Sequence, residues 1–208
     1  MTAGVKTGVI HYGAGNTGSV LRALERIGSD VELVDSPEEL GNFSSVLLPG
    51  VGSFSKAMRN LVDRGWVDHL RHFVDSGRPL AGICLGMQLL MDSGDEGGFQ
   101  AGLGFIHGKT HQIRADARTK LPHMGWNSIE IRREHNLLSG IRPSADYYFA
   151  HSYVVDPLDA EVIVATTVCG QDFPSIIAQD NVVGFQFHPE KSPPMGKTLL
   201  RNFLEWNP

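Results

Sequence analysis

The feature that most constrains this chain is the alternation of short apolar runs with helical faces through residues 7–92. TGVIHY, VELVD, SSVLLPG and PLAGIC are brief and apolar, and the first three are rich in β-branched residues or leucine, as buried strands are. Between them, Val20, Leu21, Leu24 and Ile27 share one helical face that stops at Gly28. Ala57, Met58, Leu61 and Val62 form a second face, with Ser53 or Ser55 as its cap, and Trp66, Leu70, Phe73 and Val74 carry a third to Gly77. LGMQLLMD reads as a helix entered abruptly from PLAGIC. Strands fed by helices in this order predict a parallel sheet covered on both faces. Such sheets place ligands at the carboxyl edge of their strands.

The first turn at that edge is Gly13-Ala14-Gly15-Asn16-Thr17-Gly18, and Asp35 ends the next strand. The spacing G-x-G-x-x-G with a later acidic residue is that of a dinucleotide site, which raises an oxidoreductase as one reading. The same glycines suit any parallel strand that feeds a helix. The second half changes character. Short strands are expected at GFIHG, WNSIEI and YYFAHSYVV, another over 161–168, and IIAQ is expected to pair with VVGFQF. A closing helix carries Leu199, Leu200, Phe203 and Leu204 on one face. The whole reads as one α/β domain, 1–208: an open, mostly parallel sheet, helices on both faces, and an antiparallel or mixed extension.

Composition narrows the partners. In 208 residues with a formal charge of −5, no basic run marks a nucleic-acid surface. No apolar stretch approaches a membrane span, and the N-terminal apolar run is too short for a secretory signal. Two cysteines, Cys84 and Cys169, make neither a disulfide framework nor a zinc spacing. A cytoplasmic location and no metal are the expectations.

Gly82-Ile83-Cys84-Leu85-Gly86 has the form G-x-nucleophile-x-G between an apolar strand and a helix. Flanking glycines permit the strained turn that presents a nucleophile, and the helix start aims its N–H groups at the sulfur, which favours thiolate. A buried core thiol fits Cys84 alone equally well. Cys169 reads as a core or strand-end residue. A thiolate needs a proton shuttle, and His188 stands out among nine histidines. Pro189 keeps it extended, and Glu190, two residues on, projects to the same side, where a carboxylate can hold one ring nitrogen. Most of the other histidines sit singly on polar or mixed stretches, where surface positions are expected. Gly50-Val51-Gly52 ends the third strand with a backbone free to aim an N–H at an oxyanion, beside the N–H of Leu85. Nucleophile, oriented base and oxyanion site together point to acyl transfer.

GICLGMQ with a distant FHPE resembles the class I (triad) glutamine amidotransferases. With YGAGN, LPGVGSF, PHMGWN, YFAHSY and QFHPEKS, the resemblance runs from Tyr12 to Ser192 and is most similar to the glutaminase subunits of imidazole glycerol phosphate synthases. The resemblance implies Cys84 as nucleophile, His188 as general acid/base and Glu190 as its orienter. It implies an oxyanion hole at Val51, Gly52 and Leu85, and substrate contacts at Gly50, Gln88, Glu96, Ser152 and Tyr153. It implies L-glutamine as substrate, no cofactor, and a (β/α)8-barrel cyclase as partner, met by Asn16, Tyr148 and Lys191. His11 stands where that pattern usually has Asp. The readings kept beside this one are a glutaminase of another amidotransferase, the dinucleotide oxidoreductase, a thiol peptidase-like protein and a non-catalytic binding module.

Overall fold

The computed structural model describes residues 6–115 and 119–208. Strands β1 (Thr7–Ile10), β2 (Val31–Val34), β3 (Ser45–Gly50) and β4 (Leu80–Cys84) alternate with helices α1 (Thr17–Glu25), α2 (Phe54–Asp63) and α3 (Trp66–Asp75). A short α4 (Leu85–Leu89) leaves β4 directly. The second half contributes β5 (Met91–Gly94), β6 (Gln100–Ala101), β7 (Ile106–Gln112), β8 (His123–Ser128), β9 (Glu130–Ile131), β10 (Asp146–His151) and β11 (Tyr153–Pro157). It ends with β12 (Ile163–Cys169), β13 (Gln171–Gln179), β14 (Val182–Phe185) and α5 (Met195–Leu204).

The main sheet has the order β2-β1-β3-β4-β14-β13-β12-β9. From β2 to β14 every pairing is parallel; from β14 to β9 every pairing is antiparallel. This is the parallel sheet with a mixed extension that the apolar runs predict. Its strands β3 and β4 are buried along their whole length, because Val20 and Leu24 of α1 and Leu199, Leu200 and Phe203 of α5 cover one face. Phe54, Met58 and Leu61 of α2 and Leu70 and Phe73 of α3 cover the other. A sheet of β11-β7-β5-β6 and the pair β10-β8 stand beside it. Among the described residues no helix is long and apolar enough to cross a membrane.

Three sequence expectations are corrected. The helix after Cys84 ends at Leu89, and Met91–Gly94 is a strand. The carbonyls of Leu89, Leu90 and Met91 accept from the N–H groups of Leu103, Phe105 and Gly104, so the next helical turn has no acceptors left. Val62 is exposed, because the buried face of α2 centres on Phe54, Ala57, Met58 and Leu61. The run 147–155 divides at Ser152: β10 pairs with β8 while β11 pairs with β7, so the two halves serve different sheets.

Candidate active site

Cys84 is the last residue of β4 and adopts φ 55°, ψ −110°. Positive φ strains a residue with a Cβ, and at this turn it lifts the side chain off the strand. The flanking glycines are forced by space. A Cβ on Gly86 would collide with the Leu48 carbonyl oxygen, and one on Gly82 would lie 2.6 Å from Gly86 and from the Met87 nitrogen. Gly50 sits in register with Cys84, and a Cβ there would come within 2.9 Å of the Gly86 nitrogen. The elbow and the end of β3 are therefore packed backbone to backbone.

His188 follows β14, the strand next to β4 in the sheet. Its backbone is extended, φ −100° and ψ 93°, and Pro189 opens a 3-10 turn over Pro189–Lys191 that brings Glu190 back. His188 Nδ1 and Glu190 Oε1 are 2.8 Å apart, with side chains only 4% and 1% exposed. Nδ1–H donates to the carboxylate, which leaves Nε2 for the sulfur. The segment is pinned by the His188 N–H on the Tyr148 carbonyl, and by Ser192, whose hydroxyl donates to the His188 carbonyl and accepts from the Tyr148 N–H. Burial alone would lower the imidazole pKa. The hydrogen bonds and charges of Cys84 and Glu190 outweigh it and hold His188 at about 9. His188 is thus an imidazolium at neutral pH, next to the nucleophile.

Cys84 opens onto a cleft of about 470 Å³. Val51, Gly52 and Leu85 line it, as do Gln88, Glu96, Ser152 and Tyr153; Gly50 lies behind, beside Cys84. Gln88 is buried one helical turn past the elbow, and its Nε2 donates to the Tyr153 carbonyl at 2.9 Å. That commitment leaves its Oε1 as the acceptor available to a ligand. Glu96 does more than line the cleft. Its Oε2 accepts from the Phe54 N–H at 2.7 Å and so caps α2, which neither Ser53 nor Ser55 does. The Ser55 hydroxyl instead donates to the Glu96 carbonyl at 2.6 Å. A cap supplied from forty residues away carries no local sequence signal.

Three buried residues beside or behind the cleft escape the sequence reading. Gln186 is fully buried; its Oε1 accepts from Gln88 Nε2 at 3.3 Å, and its own Nε2 lies 3.9 Å from Cys84 Sγ. His151 lines the cleft, and His123 is buried behind it, so the expectation that both lie on the surface is corrected. Period-two alternation in β10, which buries Tyr147, Phe149 and His151 together, was the signal available. Burial pushes His151 down to about 3, helped by the nearby His123 and His188. His151, at the cleft, is thus held neutral, while His188, beside Cys84, is held charged.

The residues expected at a partner surface fall into two places. Lys191 Nζ lies 5.5 Å from the Tyr148 ring centre, and Tyr148 meets Trp126 edge-on. Trp126 and Met124 expose 58% and 64% of their surfaces there, an apolar patch on β8. Asn16 stands apart, near His188 and Glu190, and caps α1 through its Oδ1 on the Ser19 N–H. The acidic residue of the dinucleotide spacing is engaged as well, since Asp35 pairs with His11 Nδ1 at 2.7 Å.

Comparison with known proteins agrees with this geometry. The model of the class-I glutamine amidotransferase family matches residues 8–206. The chain is 44% identical to an imidazole glycerol phosphate synthase subunit HisH from Desulfitobacterium hafniense, over 96% of this chain and 93% of that one. It is 45% identical to the protein of the same name from Moorella thermoacetica, over 95% and 93%. Among solved structures, PurLQS from Thermotoga maritima superposes with a TM-score of 0.78 at 19% identity, over 96% of this chain and 97% of that one, a likeness of fold. The chain belongs to the class-I glutamine amidotransferase family.

Proposed function

We propose that this chain is the glutaminase subunit of an imidazole glycerol phosphate synthase of histidine biosynthesis, working in the cytoplasm. The observation that carries the chemistry is the arrangement of Cys84, His188 and Glu190: a nucleophile on a strained elbow, beside an imidazolium that a buried carboxylate orients. The name of the relatives supports the choice of synthase.

The thiolate of Cys84 adds to the side-chain carbonyl carbon of L-glutamine. The developing oxyanion is met by the N–H of Leu85 and by the Val51–Gly52 segment. His188 gives its Nε2 proton to the departing nitrogen as the C–N bond breaks, so ammonia leaves and a thioester remains. Neutral His188 then takes a proton from water as that water attacks the thioester. Glutamate departs, and thiolate and imidazolium are restored. Gln88 Oε1 and a Glu96 carboxylate oxygen suit the substrate ammonium, and the backbone at Ser152 and Tyr153 suits its amino-acid head, with Gly50 shaping the site from behind. Cys84 supplies the nucleophile, so no cofactor is called for. The ammonia passes to a (β/α)8-barrel cyclase docked across Tyr148, Lys191 and Asn16. The cyclase adds it to a phosphoribulosyl-formimino nucleotide, giving imidazole glycerol phosphate and an aminoimidazole carboxamide nucleotide.

The test is a glutaminase assay of the purified chain with and without the cyclase subunit and its nucleotide ligand. Hydrolysis that rises on adding both is expected, because the site should reach its competent state on docking. Full activity alone with no further gain would rule out that coupling. Cys84→Ala should abolish glutamine-dependent synthesis while ammonium salts still feed the complex; loss of both would assign Cys84 a structural role.

A further inference from the structure

The buried pair His123 and His151 takes no part in the steps above, yet its hydrogen bonds form a closed chain with a fixed direction. His151 Nδ1 lies 2.9 Å from the Tyr153 carbonyl oxygen. A carbonyl only accepts, so Nδ1 carries the proton. A neutral ring then offers Nε2 as an acceptor, and His123 Nδ1 sits 3.0 Å from it. His123 must therefore donate from Nδ1 as well, which makes its own Nε2 an acceptor. Asn127 Nδ2 is 3.2 Å away and supplies the donor. The Asn127 amide is fixed from both sides: Nδ2 also donates to the Val168 carbonyl at 3.0 Å, and Oδ1 accepts from the Ser128 N–H at 2.9 Å. A second proton on either ring would set N–H against N–H. The surroundings agree with that. Phe149 stacks on His123 at 4.8 Å, Phe173 meets both rings edge-on, and the charged ring near His151 is His188.

The chain ends on an atom that matters. The Tyr153 carbonyl accepts from His151 and from Gln88, and Gln88 in turn holds Gln186 beside Cys84. At the other end, His123 and Asn127 belong to β8, whose Met124 and Trp126 face outward. We infer that His123 and His151 are positioning residues: a one-way relay, working only as two neutral Nδ1–H tautomers, that fixes the Tyr153 wall of the cleft and ties it to the register of β8. The kinetic part of this inference rests on the glutaminase reading; the tautomers do not.

The first experiment is NMR of the full chain labelled with 15N-histidine. Two neutral rings protonated at Nδ1, the less common tautomer, are expected, unchanged from about pH 8 to about pH 5. An Nε2–H tautomer or a ring that titrates in that range overturns the relay. The second is glutamine kinetics of two variants. His123→Phe keeps a ring between Phe149 and Phe173 but removes the donor to His151. It should raise KM for glutamine about tenfold with kcat within about twofold, as loss of one buried hydrogen bond behind a binding wall predicts. Cys84 labelling by iodoacetamide should proceed at the unaltered rate. His123→Asn puts an amide nitrogen where Nδ1 was and should bring KM back to within about threefold. A fall in kcat at constant KM, or Asn no better than Phe, overturns the inference. If the parent protein fails to hydrolyse glutamine even with the cyclase subunit and its nucleotide ligand present, while the tautomers are found, the glutaminase reading fails and the relay stands.

Discussion

The turn from β1 to α1 and the turn from β4 to α4 leave the same edge of the same parallel sheet, and both are built on glycine. In the first, Gly13 and Gly15 take φ 87° and 103°, so glycine answers a left-handed backbone, and at Gly15 a Cβ would also lie 2.8 Å from the Pro49 carbonyl oxygen. A Cβ on Gly18, by contrast, would meet only the flexible end of Arg22, 3.2 Å away. In the second, Gly82 and Gly86 are required because neighbouring backbone leaves no room, and the residue with positive φ is Cys84, which has a Cβ. The first turn is relaxed where it needs to be; the second keeps its strain on the one side chain that carries a nucleophile. A glycine pattern by itself therefore says little about ligands. An outlier that glycine would relieve, kept as cysteine, says much more.

Cys84→Gly should break this contrast most sharply. Glutamine hydrolysis is expected to fall below detection, while the unfolding free energy holds or rises by up to about 1 kcal/mol as the strain is released. Urea unfolding that shows a clear loss of stability would mean the elbow holds no strain for glycine to release. Gly86→Ala comes next. The methyl group would enter the Leu48 carbonyl with rigid backbone on both sides, so a loss of about 3 kcal/mol is expected, with activity falling alongside. Near-normal stability would show that β3 and α4 can separate.

The elbow is also the charged turn, which gives a smaller, pH-dependent effect. His188 is raised to about 9 from an unfolded value near 6.5. Its contribution is complete below the unfolded value and is lost as pH rises through the folded one. His151, lowered to about 3, works the other way: its contribution is present above about 6.5 and is lost as pH falls toward 3. Stability measured against pH should thus peak near neutrality. Glu190→Gln should shrink the alkaline limb, leaving the share due to Cys84, and keep the acid limb; a Glu190→Gln profile with an unchanged alkaline limb would show that the carboxylate does not help hold the proton on His188.

Much of this was legible because it is local. The parallel strands are continuous apolar runs, and the elbow and His188-Pro189-Glu190 each fit within a few residues. What escaped is set by pairing between distant segments. The carbonyls at Leu89–Met91 are claimed by amides of 103–105, so α4 stops early. Glu96 caps α2 across the cleft. His123 and His151 meet only because β8 and β10 pair with those two residues opposite each other. A lone histidine on a polar stretch reads as surface until the strand opposite it is known.

The smallest effects belong to the first turn, and they test whether it is more than a turn. Asn16→Ala removes the Oδ1 cap on the Ser19 N–H and should cost about 1 kcal/mol, as N-cap losses do. Gly18→Ala lies inside α1 with only a mobile guanidinium near it, and should gain about 0.5 kcal/mol. Neither change touches Cys84, so the isolated chain should keep its hydrolysis. Asn16→Ser separates the two roles given to this residue, since a serine hydroxyl still caps α1 but lacks the amide. If Asn16→Ser is stable yet binds the cyclase weakly in a titration, the Asn16 amide faces the partner. If it binds as tightly as the parent, the glycine turn is scaffolding and the docking surface lies wholly with Tyr148, Lys191 and their neighbours on β8.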